Sequence, residues 1–93
     1  MKTIHESEYN PNMGTLIDVK DPISYSSHHN PYSINIHYDK LLLNHNILLD
    51  KNKKYYLICD KGHKSKKAAR ILEFYGYDVT VVINSWFFHI LVL

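Results

Sequence analysis

Hydrophobic and polar positions along the chain fall into short blocks, most of which carry a recognisable period. Thr15-Leu16-Ile17-Asp18-Val19 follows Gly14 and ends in the charged pair Lys20-Asp21 and then Pro22, which predicts a buried strand and a turn. Pro22 to Ser27 suits a short helix, with Asp21 as its N-cap and proline at the first helical position. A loop from His28 to Ser33 around Pro31 leads to a brief strand at Ile34-Asn35-Ile36. Helical patterns follow at Tyr38 to Leu43 and Ile47 to Lys51, carried by Leu41, Leu42, Leu43, Leu48 and Leu49. Tyr55-Tyr56-Leu57-Ile58-Cys59 is apolar throughout, as expected of a central strand covered on both faces.

Asp60 to Lys64 contains Gly62 and no apolar residue, so it is expected to be a loop. From Ser65, Ala68, Ala69, Ile71, Leu72 and Tyr75 recur at helical spacing, with Ser65 as the N-cap candidate and Gly76 as the stop. Asp78 to Ile83 is β-branched and resumes a strand. Strand, loop, helix and strand make a parallel β/α/β unit, and ligands in such sheets sit at the carboxyl ends of strands. The expected fold class is α/β, a small and mostly parallel central sheet flanked by helices.

Ninety-three residues leave room for one domain, since domains usually hold about 100 to 150. A two-domain cofactor enzyme is thereby excluded, and no cofactor is implied. The single cysteine cannot form an internal disulfide or a multi-thiolate zinc site, which suggests a reducing, cytoplasmic setting. His28, His29 and His37 have no nearby cysteine and only scattered carboxylates, a weak metal signal, so no metal is expected. No N-terminal signal pattern is present, and no apolar stretch reaches the roughly 20 residues needed to span a bilayer. The chain is expected to be a soluble monomer with no membrane partner.

Charge is unevenly placed. Residues 51 to 70 hold eight Lys and Arg against Asp60 alone, a local +7 in a chain whose net charge is +2. A basic block around the only cysteine can be a solvated face, a nucleic-acid patch or an anion-handling site. A thiol at a strand end, before a short polar loop and a helix N-terminus, sits where backbone N–H groups and the helix dipole stabilise anions. Lys61, His63 and Lys64 add to that field, which favours the nucleophilic thiolate. Lys66 and Lys67 in the helix's first turn oppose the dipole, and an anionic substrate would offset them. A free cysteine is also a common small core residue, and lysines on a helix are commonly its wet face. The residues alone leave both readings open.

A resemblance weighs on that choice. Leu16 to Tyr25, then His28 to Ile36, then Cys59-Asp60-Lys61-Gly62-His63-Lys64-Ser65 with Ala68, Ala69 and Leu72 resemble the rhodanese-like family in order and spacing. The likeness spans about residues 15 to 83 and implies a single rhodanese-like domain over 1 to 93. It further implies a sulfurtransferase in which Cys59 accepts a sulfane sulfur as a persulfide. The donor would be thiosulfate or another anionic donor, or a protein or low-molecular-weight persulfide, and the acceptor a thiol or cyanide. Asp60, Lys61, Gly62, His63, Lys64 and Ser65 would then form the substrate cradle. Lys64 stands where the family most often has Arg, keeping the charge without the bidentate fork. Asn84-Ser85 replaces the usual glycine pair, and the tail from Trp86 has no template.

Asp18 fits a structural carboxylate that holds loop amides, and the Tyr residues fit the core better than base stacking. The competing functions are a sulfur-carrier or regulatory module in which Cys59 is modified without turnover, a cysteine phosphatase, and a nucleic-acid binder. Phosphatase loops need five residues between cysteine and cation; four separate Cys59 from Lys64, and the fifth spacing falls on neutral Ser65. Nucleic acid is not the expected partner.

Overall fold

A computed structural model describes residues 1–84. Five strands form one sheet: β1 (Lys2–His5), β2 (Thr15–Asp18), β3 (Ser33–Asn35), β4 (Lys54–Ile58) and β5 (Asp78–Ile83). They lie in the order β1-β5-β4-β2-β3, and every neighbouring pair is parallel. Helices α1 (Pro22–Ser27), α2 (Tyr38–Leu43), α3 (His45–Leu48) and α4 (His63–Phe74) make the connections, with a 3-10 turn at Glu6–Glu8.

The apolar run before Cys59 is the middle strand, and its side chains alternate between two cores. Tyr55, Leu57 and Cys59 face Leu41, Ala68, Ala69 and Leu72, together with Val79 and Val81 of the neighbouring strand. Tyr56 and Ile58 face the other way, with Leu16 and Val82, and are covered by Ile4, Tyr9 and Met13. A strand flanked on both sides and covered on both faces has no solvent position to fill with a polar residue. That is why its sequence shows no alternation.

Sequence and structure differ at several boundaries. β1 and the 3-10 turn carried no sequence signal; β1 is an edge strand, three of whose four residues are exposed, and parallel pairing to β5 forms it. The third strand runs over Ser33–Asn35, one residue earlier than its apolar pattern suggests. The helix expected at Ile47 to Lys51 lies instead at His45–Leu48, because Leu49 turns to extended backbone and enters the core. α4 begins at His63, two residues before Ser65, and its N-cap is Gly62. Tyr75, expected on the helix's buried face, is half exposed and stacks on His45.

The turn signals hold. Asp21 caps α1 by accepting the Ser24 N–H at 2.9 Å, and Gly76 ends α4 with its N–H on the Glu73 carbonyl. The Trp86 to Leu93 tail lies outside the described residues.

Gly14 enters β2 where a side chain has no room: a Cβ there would lie 2.5 Å from the Lys54 carbonyl oxygen. Backbone cannot yield as a flexible side chain can, so Gly14→Ala is expected to destabilise the domain by about 1–3 kcal/mol. Chemical denaturation of the two proteins measures this, and equal midpoints would contradict the packing.

Candidate functional site

β4 ends at Ile58, and Cys59 is the first residue beyond it. The chain must then reverse into α4 within a few residues. Gly62 makes this possible with φ +80°, a left-handed conformation that a side chain disfavours, although a Cβ would meet nothing closer than 3.9 Å. Backbone conformation, and not space, selects glycine here.

The reversal returns the first turn of α4 to the sulfur. The Ser65 N–H donates to Cys59 Sγ at 3.4 Å, and the Cys59 thiol donates to Ser65 Oγ at 3.3 Å. Ser65 Oγ in turn donates to the Gly62 carbonyl at 3.2 Å. Ser65 is therefore not the N-cap but a fully buried residue inside the helix, joined to the sulfur by both its amide and its hydroxyl. Cys59 itself is 7% exposed and touches the bottom of a pocket of about 220 Å³.

Asp60, Lys61, His63 and Lys64 line that pocket from the loop, while Lys20, Asp21 and Ser24 line it from the end of β2 and the start of α1. Lys61, His63 and Lys64 are exposed and carry no ion pair among the described residues. Gly62 is buried and lines the turn, not the pocket. Of the six loop residues anticipated as a cradle, four thus reach the pocket, Ser65 reaches the sulfur, and Gly62 shapes the backbone.

The far wall was not anticipated. Lys20, which in the sequence looks like part of a strand-ending charged pair, turns inward and is nearly buried. Its ammonium lies 3.3 Å from Asp60 Oδ1 and 3.6 Å from Asp18 Oδ2, and it donates to the His28 carbonyl. Asp18 accepts the Lys20 backbone N–H at 2.9 Å, which is the loop-holding role its position suggested. Asn35 Nδ2 donates to the carbonyls of Asp18 and Lys20 at 3.0 and 2.9 Å, fixing the β2 exit from the other side. Asn84 Nδ2 donates to the Cys59 carbonyl at 2.6 Å and also to that of Asp60. No local pattern marks Asn35 or Asn84, because their partners are backbone groups distant in sequence.

The histidines are not gathered together. His28 ends α1, His29 stacks on Tyr25 with centroids 3.8 Å apart, and His37 precedes α2. Among the described residues no group of three or more His, Cys, Asp or Glu could hold a metal, and no helix is long and apolar enough to cross a membrane.

A parallel α/β sheet whose central strand delivers one cysteine into a basic loop, with the following helix turned back onto the sulfur, defines an α/β cysteine-loop domain. The chain belongs to the rhodanese-like domain family, whose model matches residues 3–87. A rhodanese-related protein from Thermoplasma volcanium has the same fold with a TM-score of 0.79 and 27% identity, covering 88% of this chain and 83% of that one. The Bacillus anthracis protein CoADR-RHD, in its reduced form, is 32% identical with a TM-score of 0.79, covering 87% of this chain and 15% of that one. A rhodanese-like domain protein from Staphylococcus aureus is 28% identical with a TM-score of 0.73, covering 86% and 82%. No curated protein matches the sequence.

Burial pushes the Asp18 carboxyl above its ordinary value of 3.8, against the Lys20 N–H and ammonium that pull it down. A carboxyl with a raised folded-state value binds its proton more tightly when folded. Its contribution is complete below the unfolded value and is lost as pH rises through the folded one. As pH rises from below the ordinary value of 3.8 through the raised folded-state value, wild-type stability should therefore fall relative to Asp18→Asn, in which that titration is absent. Urea denaturation across this range checks the slope, and parallel curves for the two proteins would refute the shift.

Proposed function

We propose that the protein is a sulfurtransferase that carries a sulfane sulfur as a persulfide on Cys59. The observation that supports this best is the double link from Ser65 to the sulfur at 3.3 and 3.4 Å, at the floor of a pocket rimmed by Lys61, His63 and Lys64. A sulfur held between a backbone amide and a hydroxyl, under an electropositive rim, is suited to being an anion and to meeting one.

In the first half-reaction the Cys59 thiolate attacks the outer sulfur of thiosulfate. The Sγ–S bond forms, the thiosulfate S–S bond breaks, and sulfite leaves with the electron pair. In the second, an acceptor thiolate or cyanide attacks the outer sulfur of the persulfide and releases the Cys59 thiolate. No net oxidation occurs and no cofactor takes part. Once the thiol proton is lost, the Ser65 hydroxyl can turn its O–H from the Gly62 carbonyl to the sulfur, adding a second donor beside the Ser65 N–H. The thiolate needs no general base. Lys61 and Lys64 attract the dianionic donor, with Lys64 acting as a point charge where a guanidinium would grip two oxygens. A protein or low-molecular-weight persulfide serves as donor by the same displacement.

The second reading, a carrier or regulatory module that is modified without turnover, draws on the low exposure of Cys59 and the single ammonium at Lys64. The two readings part at the acceptor step.

Incubation with thiosulfate should add the mass of one sulfur atom to the intact protein, and Cys59→Ser should abolish the gain. Addition of cyanide or a thiol should then return the original mass over repeated cycles. A stable adduct that no acceptor discharges would favour the carrier module, and no adduct with either thiosulfate or a persulfide donor would sink both.

Lys64→Met is expected to lower thiosulfate use by about tenfold or more, the equivalent of one charge-assisted hydrogen bond of about 1.5–3 kcal/mol. Lys64→Arg should restore or improve it. Steady-state rates with thiosulfate and with a neutral persulfide donor test this, the neutral donor being much less affected. Unchanged thiosulfate turnover in Lys64→Met would assign recognition to the loop amides.

A further inference from the structure

The Cys59 loop carries an acid where the capture of an anion calls for none. Asp60 directly follows the cysteine, lines the same pocket, and has 64% of its side chain exposed. Left alone, its carboxylate would repel an approaching anion at short range. The structure places a counter-charge against it. Lys20 reaches across from the β2 exit with a side chain only 9% exposed, its ammonium 3.3 Å from Asp60 Oδ1.

That ammonium is held where it is. A nearly buried lysine is costly unless paired and hydrogen-bonded, and Lys20 has the His28 carbonyl and the Asp18 carboxyl as further partners. The latter is buried, lies 3.6 Å away, is also bound by the Lys20 backbone N–H, and lines a separate small cavity of about 30 Å³ and not the larger pocket that Lys61 and Lys64 rim. Asp60 is the exposed member of the group, and its pairing decides what charge the pocket presents. Nothing else among the described residues forms an ion pair with it.

We propose that Lys20 is a positioning residue for anion capture at Cys59: it holds the Asp60 carboxylate and cancels its charge, so that Lys61, Lys64 and the loop amides set the field an anion meets. This rests on the reading of the Cys59 loop as an anion cradle. It does not require that sulfur be transferred, and the two can be tested apart.

The probe is alkylation of Cys59 by iodoacetate and by iodoacetamide, which share a leaving group and a mechanism and differ in charge. The ratio of their rate constants cancels the intrinsic reactivity of the thiol and reports the field at the sulfur. Lys20→Met should lower the ratio about three- to fivefold at low ionic strength, with the difference shrinking as salt is added. Asp60→Asn should raise it by a similar factor, since Lys20 is then uncompensated. The double variant Lys20→Met/Asp60→Asn should return to within about twofold of wild type, and Lys20→Arg should stay near wild type.

An unchanged ratio in Lys20→Met would overturn the proposal, as would a double variant that stays as low as Lys20→Met, because Lys20 would then bind the anion itself. If Lys20→Met does not unfold cooperatively, Asp60→Asn decides alone: a ratio that fails to rise refutes the neutralisation. Thiosulfate labelling of the wild type, run in parallel, reports on sulfur transfer separately. A ratio that follows the expected order in a protein that gains no sulfur would keep the role of Lys20 and discard the transfer reading.

Discussion

The burial of β4 from Tyr55 to Ile58 is the constraint on which the rest of this structure depends. It is flanked by β2 and β5, with Tyr55, Tyr56 and Leu57 paired on both edges, and four of its five residues are buried. Such a strand can end only where its next residue has somewhere polar to go. It ends at Ile58, so Cys59 becomes the last residue packed against the core and the first from which the chain can reach solvent. The Cys59 thiol and the innermost strand are therefore continuous. The sulfur inherits its shielding from the core while its loop opens to the pocket.

Two chain reversals then share one end of the sheet. The β2 exit carries Asp18 and Lys20, and the β4 exit carries Cys59 and Asp60, and because these strands are neighbours in register, Asp18 pairs with Ile58. Adjacent parallel strands deliver their exits side by side, which is the general reason that sites form at this edge of open α/β sheets. Here the consequence is electrostatic: one cation from the first exit meets one anion from the second. Asn35 from β3 and Asn84 beyond β5 then fasten the two exits by their backbone carbonyls. The exits of four of the five strands thus meet around one sulfur.

On the second face of the sheet the N-terminal segment packs against the strands. Leu16, Tyr56, Ile58 and Val82 pack against Ile4, Tyr9 and Met13. Tyr9 packs edge-on against Tyr56 at 5.4 Å between ring centroids and donates its hydroxyl to the Gly14 carbonyl at 2.8 Å. Among the described residues, Ile4 of β1, Tyr9 after the 3-10 turn and Met13 supply cover on this face.

The elements that the sequence determined by itself are those whose signal is local. The run of five apolar residues, the Asp21-Pro22 cap, the Gly62 turn and the amphipathic positions of α4 depend on neighbours within one or two turns of chain, and the structure follows them except at Ile71 and Tyr75, which are exposed. So does the basic loop around Cys59. Three things were decided by the tertiary structure. β1 exists because β5 offers it an edge, with no β-pattern of its own. Ser65 looks like a helix cap from composition, yet the left-handed Gly62 starts the helix earlier and rotates the serine onto the sulfur. Lys20 looks like a surface charge from its place beside Asp21 and Pro22, yet the register of β2 with β4 brings Asp60 within 3.3 Å of its ammonium. A sequence records which charges a chain carries; the pairing of two of them 40 residues apart belongs to the sheet that brings their strand ends together.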